Sequence, residues 1–280
     1  MMTAHMPLTQ MQPAPAKQPR AVGVVRLSTK RLGTRTVLGD LYQQGAAKAV
    51  FPRANRGLTA VLLNTSGGVT GGDSFTNTAQ AGEGTHLTLT TQACERAYRA
   101  QPGEIGRVST NLHVQDGATL WWLPQETLVF DGCAFERRLS CDIEGSGRAL
   151  IVEPLCVGRL AMGEDTVSGL MADRIDITRE GAPLVRDAWR MSGDITAHMQ
   201  RAACASGASA MVSLTYAGTD AETHLAPLRA LLPTTGGASL LATDVLVMRL
   251  LAPSGYALRK HLLPILDHLT SSEMPLCWRL

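Results

Sequence analysis

The fold of this chain is decided by residues 63–73, which read LNTSGGVTGGD. Two glycine pairs, Gly67-Gly68 and Gly71-Gly72, stand close together, and Asp73 closes the stretch. Glycine tolerates positive φ and close backbone approach, so two adjacent pairs indicate a tightly folded turn. An apolar run, 58–63, precedes the turn and Phe75 follows it, which predicts a strand, a turn and a second strand.

Three interpretations of this turn compete. A hairpin or bulge loop needs only the conformational freedom of glycine. A phosphate-binding loop is excluded by its chemistry, since it needs Lys-Ser/Thr after the last glycine, or G-x-G-x-x-G at the start of a helix. Asp73 stands instead where an anion would bind, and residues 74–79 carry no helical apolar face. The third interpretation is a family signature, which the rest of the chain must decide.

Composition places the chain among ordinary globular proteins. It has 280 residues, of which 45% are hydrophobic and 4% aromatic, enough for one large β domain or two smaller ones. The net charge of +2, without runs of lysine and arginine, gives no reason to expect a nucleic-acid partner. Nowhere is there an apolar stretch long enough to predict a membrane span.

The chain is predicted to consist of a tail and a single domain. Residues 1–20 are rich in Met, Gln and Pro and lack the apolar core of a signal peptide, so a flexible tail is expected there and one domain over residues 21–280. The six cysteines form no C-x-x-C pair, so we expect buried free thiols in a cytoplasmic protein rather than a zinc site or disulfides.

Residues 21–215 are predicted to be mostly β. Turn signals recur at short intervals, which is typical of an all-β sandwich, barrel or solenoid. The segment 84–91 alternates polar and apolar residues and predicts a strand with one buried face. Segments 83–87, 116–120 and 146–150 share a turn-Gly-x-x-Leu plan, a weak internal echo that fits hairpins stacked in one continuous sheet system.

The remaining part, residues 216–280, is predicted to contain helices. Leucines share one helical face over residues 222–232, and a second apolar stripe follows over residues 256–268, where Pro264 predicts a kink. A strand pair is expected between them, over residues 240–251. The fold class is therefore mainly β, with stacked multi-stranded sheets of solenoid or sandwich type and two C-terminal α-helices.

No motif pairs a catalytic nucleophile with a base. His261 and His268 are two helical turns apart on the second helix and are expected at the surface. His86 and His113 lie on predicted strands and could neighbour each other across a sheet, although ordinary polar strand faces are the preferred interpretation.

Four carboxylates are the candidate metal-contacting groups. Each borders an apolar strand: Glu126, Asp131, Glu153 and Glu164. They either satisfy turns at the strand ends or line a polar passage that holds a hard or borderline cation such as nickel transiently, since tight binding would call for His or Cys. Arg159 is the expected counter-charge.

Four motifs in order carry a family resemblance. They are NTSGGVTGGD (64–73), TQA with YR (91–93, 98–99), LPQET with FDG (123–127, 130–132) and GR with GE (158–159, 163–164). Together they resemble the urease accessory protein D family, UreD, called UreH in some bacteria. The closing MPLCW (274–278) resembles the family's Pro-Arg-aliphatic-Trp, but the arginine is missing, so any role of that arginine is not carried over to this chain.

The resemblance implies a cytoplasmic maturation factor, a chaperone-like scaffold without catalytic activity and without a tightly bound cofactor. Family members bind apo-urease and recruit the helical accessory protein F, which recruits the GTPase G carrying nickel. The family fold is largely β with a pair of helices, and a proposed family role is to pass nickel through an internal polar tunnel during metallocentre assembly. The four carboxylates are then the candidate tunnel or rim positions, and GTP hydrolysis belongs to the partner.

Several alternatives remain open at this stage. The C-terminal helices and Trp278 either face accessory protein F or pack on the β body. Asp73 either caps the backbone amides of its own turn, which we prefer, or stands at a tunnel mouth. The competing functions are a metal-dependent hydrolase or lyase that uses the strand-end carboxylates, and an adaptor that contacts urease without touching nickel.

Overall fold

Two β-sheets are wound from one chain in the computed structural model, which describes residues 18–54, 56–159 and 162–279. The predicted flexible tail lies outside the described residues except for its last three. In chain order the strands are β1 (Val22–Leu32), β2 (Arg35–Gly45), β3 (Ala47–Val50), β4 (Leu58–Asn64), β5 (Ser74–Ala81), β6 (His86–Thr91), β7 (Glu95–Ala97), β8 (Gly106–Val114), β9 (Thr119–Leu123), β10 (Thr127–Val129), β11 (Ala134–Ile143), β12 (Arg148–Val157), β13 (Ser168–Arg179), β14 (Ala182–Asp194), β15 (Ala210–Ala217), β16 (Gly236–Ala242) and β17 (Val245–Ala252).

The strand order shows a solenoid. The first sheet runs β14-β13-β11-β8-β5-β1-β2, and the second runs β16-β17-β15-β12-β9-β6-β4-β3. Successive turns of the chain alternate between them, so that β5, β8 and β11 pair in parallel in the first sheet and β6, β9 and β12 pair in parallel in the second. The short strands β7 and β10 form a third, narrow side. The prediction of stacked multi-stranded sheets is confirmed, in its solenoid form.

The glycine-rich turn joins the two sheets. The predicted strands on either side exist as β4 and β5, but β4 pairs with β3 and β6, whereas β5 pairs with β1 and β8. The hairpin interpretation is therefore wrong. Local glycine content predicts that the chain turns, but which strand becomes the partner depends on the stacking of later turns.

The internal echo marks neighbouring turns of the solenoid rather than hairpins. Leu87 of β6 pairs with Leu120 of β9 in parallel register, as the shared plan suggests. The third echo is displaced by one residue, because Ala149 and not Leu150 pairs with Leu120. The strand β6 is also buried on both faces rather than one, since the second sheet is covered on both sides.

Helices cover the outer face of the second sheet. They are α2 (Ala221–Leu231) and α3 (Gly255–Thr270), and the intervening strand pair is β16 and β17, as predicted. The apolar stripe of α3, including Leu258, Leu262 and Leu266, is buried in a core shared with the second sheet. A further short helix, α1 (Ile195–Gln200), lies inside the region predicted to be mostly β. It was not predicted because its six residues are too few to show a periodic pattern.

Trp278 belongs to this core. Its side chain is 0% exposed and its Nε1 donates to the Leu123 carbonyl at 2.9 Å. Of the two alternatives left open for Trp278 and the helical stripes, packing on the β body is therefore the one observed. Tyr256, at the start of α3, is instead the exposed aromatic of this layer, at 82%.

The histidines and cysteines are distributed as follows. His86 lies in the second sheet and His113 in the first, so the possibility that they neighbour each other in one sheet is wrong. His86 is buried against the edge of the Trp121 ring, and burial lowers its pKa to about 4. The cysteines are free thiols, as expected. Burial is confirmed for Cys133, Cys141 and Cys156, but it is wrong for Cys94 and Cys277, which are half-buried, and for Cys204, which is exposed.

Candidate functional site

The four motifs that were far apart in the sequence stack as successive layers on one corner of the solenoid. Val69 accepts from the Tyr98 amide at 2.8 Å and donates to the Arg96 carbonyl at 2.7 Å. The third layer is bonded to the second because the Phe130 amide donates to the Ala97 carbonyl. The fourth is bonded to the third because the Gly158 amide donates to the Val129 carbonyl. We call residues 64–73, 95–99, 127–133, 158–159 and 162–164 the stacked corner.

A column of side chains ties these layers together. The Tyr98 ring meets the Phe130 ring edge-on at 5.2 Å, and the Arg159 guanidinium lies 4.2 Å from the Phe130 centroid. Gly68 packs against the Tyr98 ring with a φ of +154°, where a Cβ would overlap the ring. Glycine at this position therefore permits the turn to lie flat on the next layer.

Asp73 closes the turn by accepting backbone amides. Its Oδ2 accepts from the Thr70 amide at 2.8 Å and its Oδ1 from the Ala21 amide at 2.7 Å. The side chain is 5% exposed, so both amides depend on it rather than on water. This is the geometry of the cap preferred from the sequence, and it also holds the chain just before strand β1 through the Ala21 amide.

Asp131 and Glu164 form a charged network on the outside of the stacked corner. Glu164 pairs with Arg159 at 2.9 Å, as the sequence predicts, and accepts from the Asp131 amide at 3.2 Å. Asp131 pairs with the exposed Arg99 and accepts from the Ser168 amide at 2.9 Å. That amide is the main reason why the pKa of Asp131 is lowered, and the Arg159 hydrogen bonds lower the pKa of Glu164.

Glu126 lies in a different place, against helix α3. Its carboxylate pairs with Arg259 at 3.1 Å and accepts from the Cys94 thiol at 3.4 Å. Burial, with the nearby Glu126 charge, raises the pKa of Cys94 to about 11. This pair joins the narrow side of the solenoid to the helical layer.

Glu153 alone among the four predicted carboxylates points into the solenoid. It faces Arg137 across the space between the sheets, with Oε2 2.5 Å from Nη1, and it accepts from Trp122 Nε1 at 2.7 Å. Arg137 also holds Asp173, at 2.6 and 3.1 Å. Burial raises the pKa of Glu153 to about 7, opposed by the Arg137 charge and reinforced by Asp173.

This triad is the centre of a longer row of polar side chains that runs through the solenoid and ends at the partly exposed pair of Asp187 and Arg249. On one side, Arg137 donates to Thr127, which is the in-register neighbour of Glu95. On the other side, Ser213 is the in-register neighbour of Glu153. We call the following residues the interior polar row: Asn64, Glu95, Thr127, Arg137, Glu153, Asp173, Ser213, Asp187 and Arg249.

Each end of the interior polar row opens into a cavity. The near cavity, of about 140 Å³, is lined by Asn64, Glu95 and Asn77 beneath the glycine-rich turn. Burial raises the pKa of Glu95 there, although Asn64 donates to it at 3.3 Å. The far cavity, of about 380 Å³, is lined by Arg249 together with His198 of α1.

Arg137, Asp173 and Glu95 were missed by the sequence reasoning. A usable signal exists for the first two, because each interrupts an inward-facing apolar alternation. In β11 the buried positions are Phe135, Arg137, Leu139, Cys141 and Ile143. In β13 they are Met171, Asp173, Ile175 and Ile177. A charge within such a series must be paired, since an unpaired buried charge is prohibitively costly.

The arrangement is not that of a preformed metal centre. Within the described ranges, no group of three or more His, Cys, Asp and Glu side chains is arranged to hold a metal ion. The four predicted carboxylates occupy three separate places, with Asp131 and Glu164 together at the stacked corner. None of the described helices is both long and apolar enough to cross a membrane.

These features define a class of protein: a β-solenoid with a helical layer on one sheet and a buried ionic row between its sheets. The family model described as "UreD urease accessory protein" matches residues 21–279. The chain is 52% identical to the urease accessory protein UreD of Ruegeria pomeroyi, over 91% of this chain and 99% of the relative. It is 47% identical to that of Roseobacter denitrificans (95% and 97%) and 41% identical to that of Rhizobium etli (93% and 96%). The chain therefore belongs to the UreD family of urease accessory proteins.

Proposed function

We propose that this protein is a cytoplasmic urease maturation factor without catalytic activity, which binds apo-urease and assists the delivery of nickel to it. In this proposal accessory protein F binds the chain directly, and the GTPase G joins through F. Family membership supports the urease role. The interior polar row, with a cavity at each end, is the single observation that supports a passage for the cargo ion.

The interior polar row has the chemistry that a transient cation path requires. Carboxylate and hydroxyl oxygens attract a divalent ion, while the guanidinium of Arg137 keeps the carboxylates from binding it tightly. Nickel would then be cargo that exchanges along the row rather than a resident cofactor. Of the four carboxylates predicted for this role, Glu153 is the one whose burial within the row supports it, and we assign the other three to the rim or to structure.

The first experiment is deletion of the gene in the organism that carries it. We expect urease protein to be present but nickel-free, and full activity to return when the gene is restored. Normal nickel content in the deletion strain would contradict the maturation role.

The second experiment separates a passage from a plain adaptor. Glu153→Gln and Asp173→Asn remove interior charges while keeping the side-chain shape, whereas Glu126→Gln, Asp131→Asn and Glu164→Gln change carboxylates outside the row. We expect the interior pair to reduce the nickel content of urease while co-purification with urease and F is unchanged. Equal nickel loading by all five variants, with intact complexes, would favour an adaptor.

The metal-dependent enzyme alternative gains no support from the described residues. Its carboxylates lie in three separate places, and each is engaged by an arginine: Arg99, Arg137, Arg159 or Arg259. Turnover of a small substrate by the purified protein alone would favour the enzyme alternative.

A further inference from the structure

A nitrogen–sulfur pair lies on the wall of the far cavity. Asp194 caps helix α1, since its Oδ1 accepts from the Ala197 amide at 2.7 Å, and His198 lies in the last turn of the helix. The chain then folds back on itself, since the Gly207 amide donates to the Met199 carbonyl at 3.0 Å. This return places the Cys204 sulfur 3.6 Å from Nε2 of His198.

This separation fits two ligands of one metal ion. Typical bond lengths to zinc are about 2.3 Å for sulfur and about 2.0–2.1 Å for imidazole nitrogen, and a tetrahedral angle then puts the two donors about 3.6 Å apart. A thiol–imidazole hydrogen bond gives a similar distance, so a measurement must separate the two. Thiolate and imidazole are donors for soft and borderline cations such as Zn²⁺ and Ni²⁺.

The surroundings favour an exchangeable site. Cys204 is exposed, and the same cavity is lined by three thioethers, of Met191, Met199 and Met211, which are soft donors of the same preference. Two arginines line the same cavity, and each has a carboxylate partner that limits its repulsion of a cation: Arg249 pairs with Asp187 at 2.5 Å and Arg190 with Glu136 at 3.9 Å. With only two strong protein ligands, the remaining coordination positions stay open to water or to a donor molecule.

We propose that His198 and Cys204 form a two-ligand docking point for a borderline divalent cation at the end of the interior polar row. The identification of the ion as nickel cargo rests on the function proposed above. On binding, the Cys204 thiol releases its proton to solvent and the sulfur coordinates as thiolate, while His198 coordinates as neutral imidazole through Nε2. The pair thereby holds the ion where the far cavity meets solvent, next to the ionic end of the row.

The test is a titration of the purified full-length protein with Ni²⁺, monitored by thiolate-to-nickel charge-transfer absorption. We expect the band in the wild-type protein, its loss in Cys204→Ser, and at least about tenfold weaker binding in His198→Ala. Cys277→Ser is the matched control, because Cys277 is a partly accessible thiol whose sulfur contacts Thr90 and Gln125, and this variant should keep the band. Circular dichroism verifies that each variant is folded.

The proposal is overturned if the wild-type protein gives no nickel-dependent band, or if Cys204→Ser or His198→Ala binds like the wild type. Those results would leave a plain hydrogen bond between the two side chains. They are separable from the maturation role, since the gene deletion tests that role regardless of whether this pair binds nickel.

Discussion

Two arginine–aspartate pairs in this protein use the same side chains in opposite surroundings. Arg137 and Asp173, inside the solenoid, have side chains that are 8% and 3% exposed. Arg99 and Asp131, on the stacked corner, are 70% and 33% exposed. Water screens the outer pair and can replace either partner, whereas the inner charges depend on each other, on Glu153 and on the buried hydroxyl of Thr127. The same chemical pair is therefore a structural necessity in one region and an adjustable surface feature in the other.

Arg137→Met should have the largest effect. It leaves Glu153 and Asp173 facing each other in a buried space without a counter-charge, and breaking such a set costs about 3–5 kcal/mol. Urea denaturation followed by circular dichroism measures the change in the free energy of unfolding. A loss below about 1 kcal/mol would mean that water reaches the triad and that the contrast between the two regions is not real.

Neutralising the whole triad is the control for that variant. The combination Arg137→Met, Glu153→Gln and Asp173→Asn removes all three charges and keeps an acceptor for Trp122 Nε1. We expect it to be more stable than Arg137→Met alone, since the cost arises from unpaired charge rather than from lost packing.

Asp73→Asn should cause the second-largest loss in the free energy of unfolding. The two carboxylate oxygens each accept one backbone amide, whereas an asparagine offers a single acceptor oxygen and would turn its NH₂ group toward the other amide. We expect a loss of about 1–3 kcal/mol, the cost of an unsatisfied buried donor. Asp165→Asn, at an exposed position, is the control and should leave the urea midpoint unchanged.

If Asp73→Asn is as stable as the wild type yet fails to support urease activation, the cap is not the main role of Asp73. Its charge would then act at the near cavity, and the stacked corner would belong to the passage rather than to the frame around it.

Much of the fold could be predicted from the sequence because local patterns mark individual strands. The alternation in residues 84–91 and the leucine face of residues 222–232 both correspond to observed elements. Pairing could not be predicted, since the glycine turn looks the same whether it returns to its own sheet or crosses to the other. That choice depends on contacts such as Val69 with Ala97, made with a later turn of the solenoid.

The candidate site was predictable only in part, for a related reason. A carboxylate next to an apolar strand can point inward, as Glu153 does, or outward, as Asp131 and Glu164 do. Successive side chains of a strand point to opposite faces, so the direction of a carboxylate depends on whether its position is odd or even along the strand. The exact strand register must be known before a residue can be assigned to the inner or the outer face. Arg137 and Asp173 show that a charge at an inward position of an apolar alternation predicts an interior side chain better than proximity to a strand end does.

The pH dependence of stability provides a finer test of the inner region. The pKa of Glu153 is raised from 4.5 to about 7 in the folded protein, so the folded state holds a proton that the unfolded chain releases. The contribution of Glu153 to the free energy of unfolding is therefore complete below pH 4.5 and declines as the pH rises from 4.5 to about 7. Subtracting the stability curve of Glu153→Gln from that of the wild type should show this decline, and a flat or rising difference would contradict the buried, desolvated position of Glu153.

Arg99→Met should have the smallest effect and completes the comparison with Arg137→Met. The same substitution removes the same charge from an aspartate pair, but Asp131 keeps the Ser168 amide and gains water in place of the guanidinium. An exposed pair of this kind contributes about 0–1 kcal/mol, and the difference from the wild type should shrink further in high salt. Urease activation should be unaffected, since the interior polar row is unchanged. A loss as large as that of Arg137→Met would place the stacked corner in a protected environment, with its network as essential to the fold as the triad inside the solenoid.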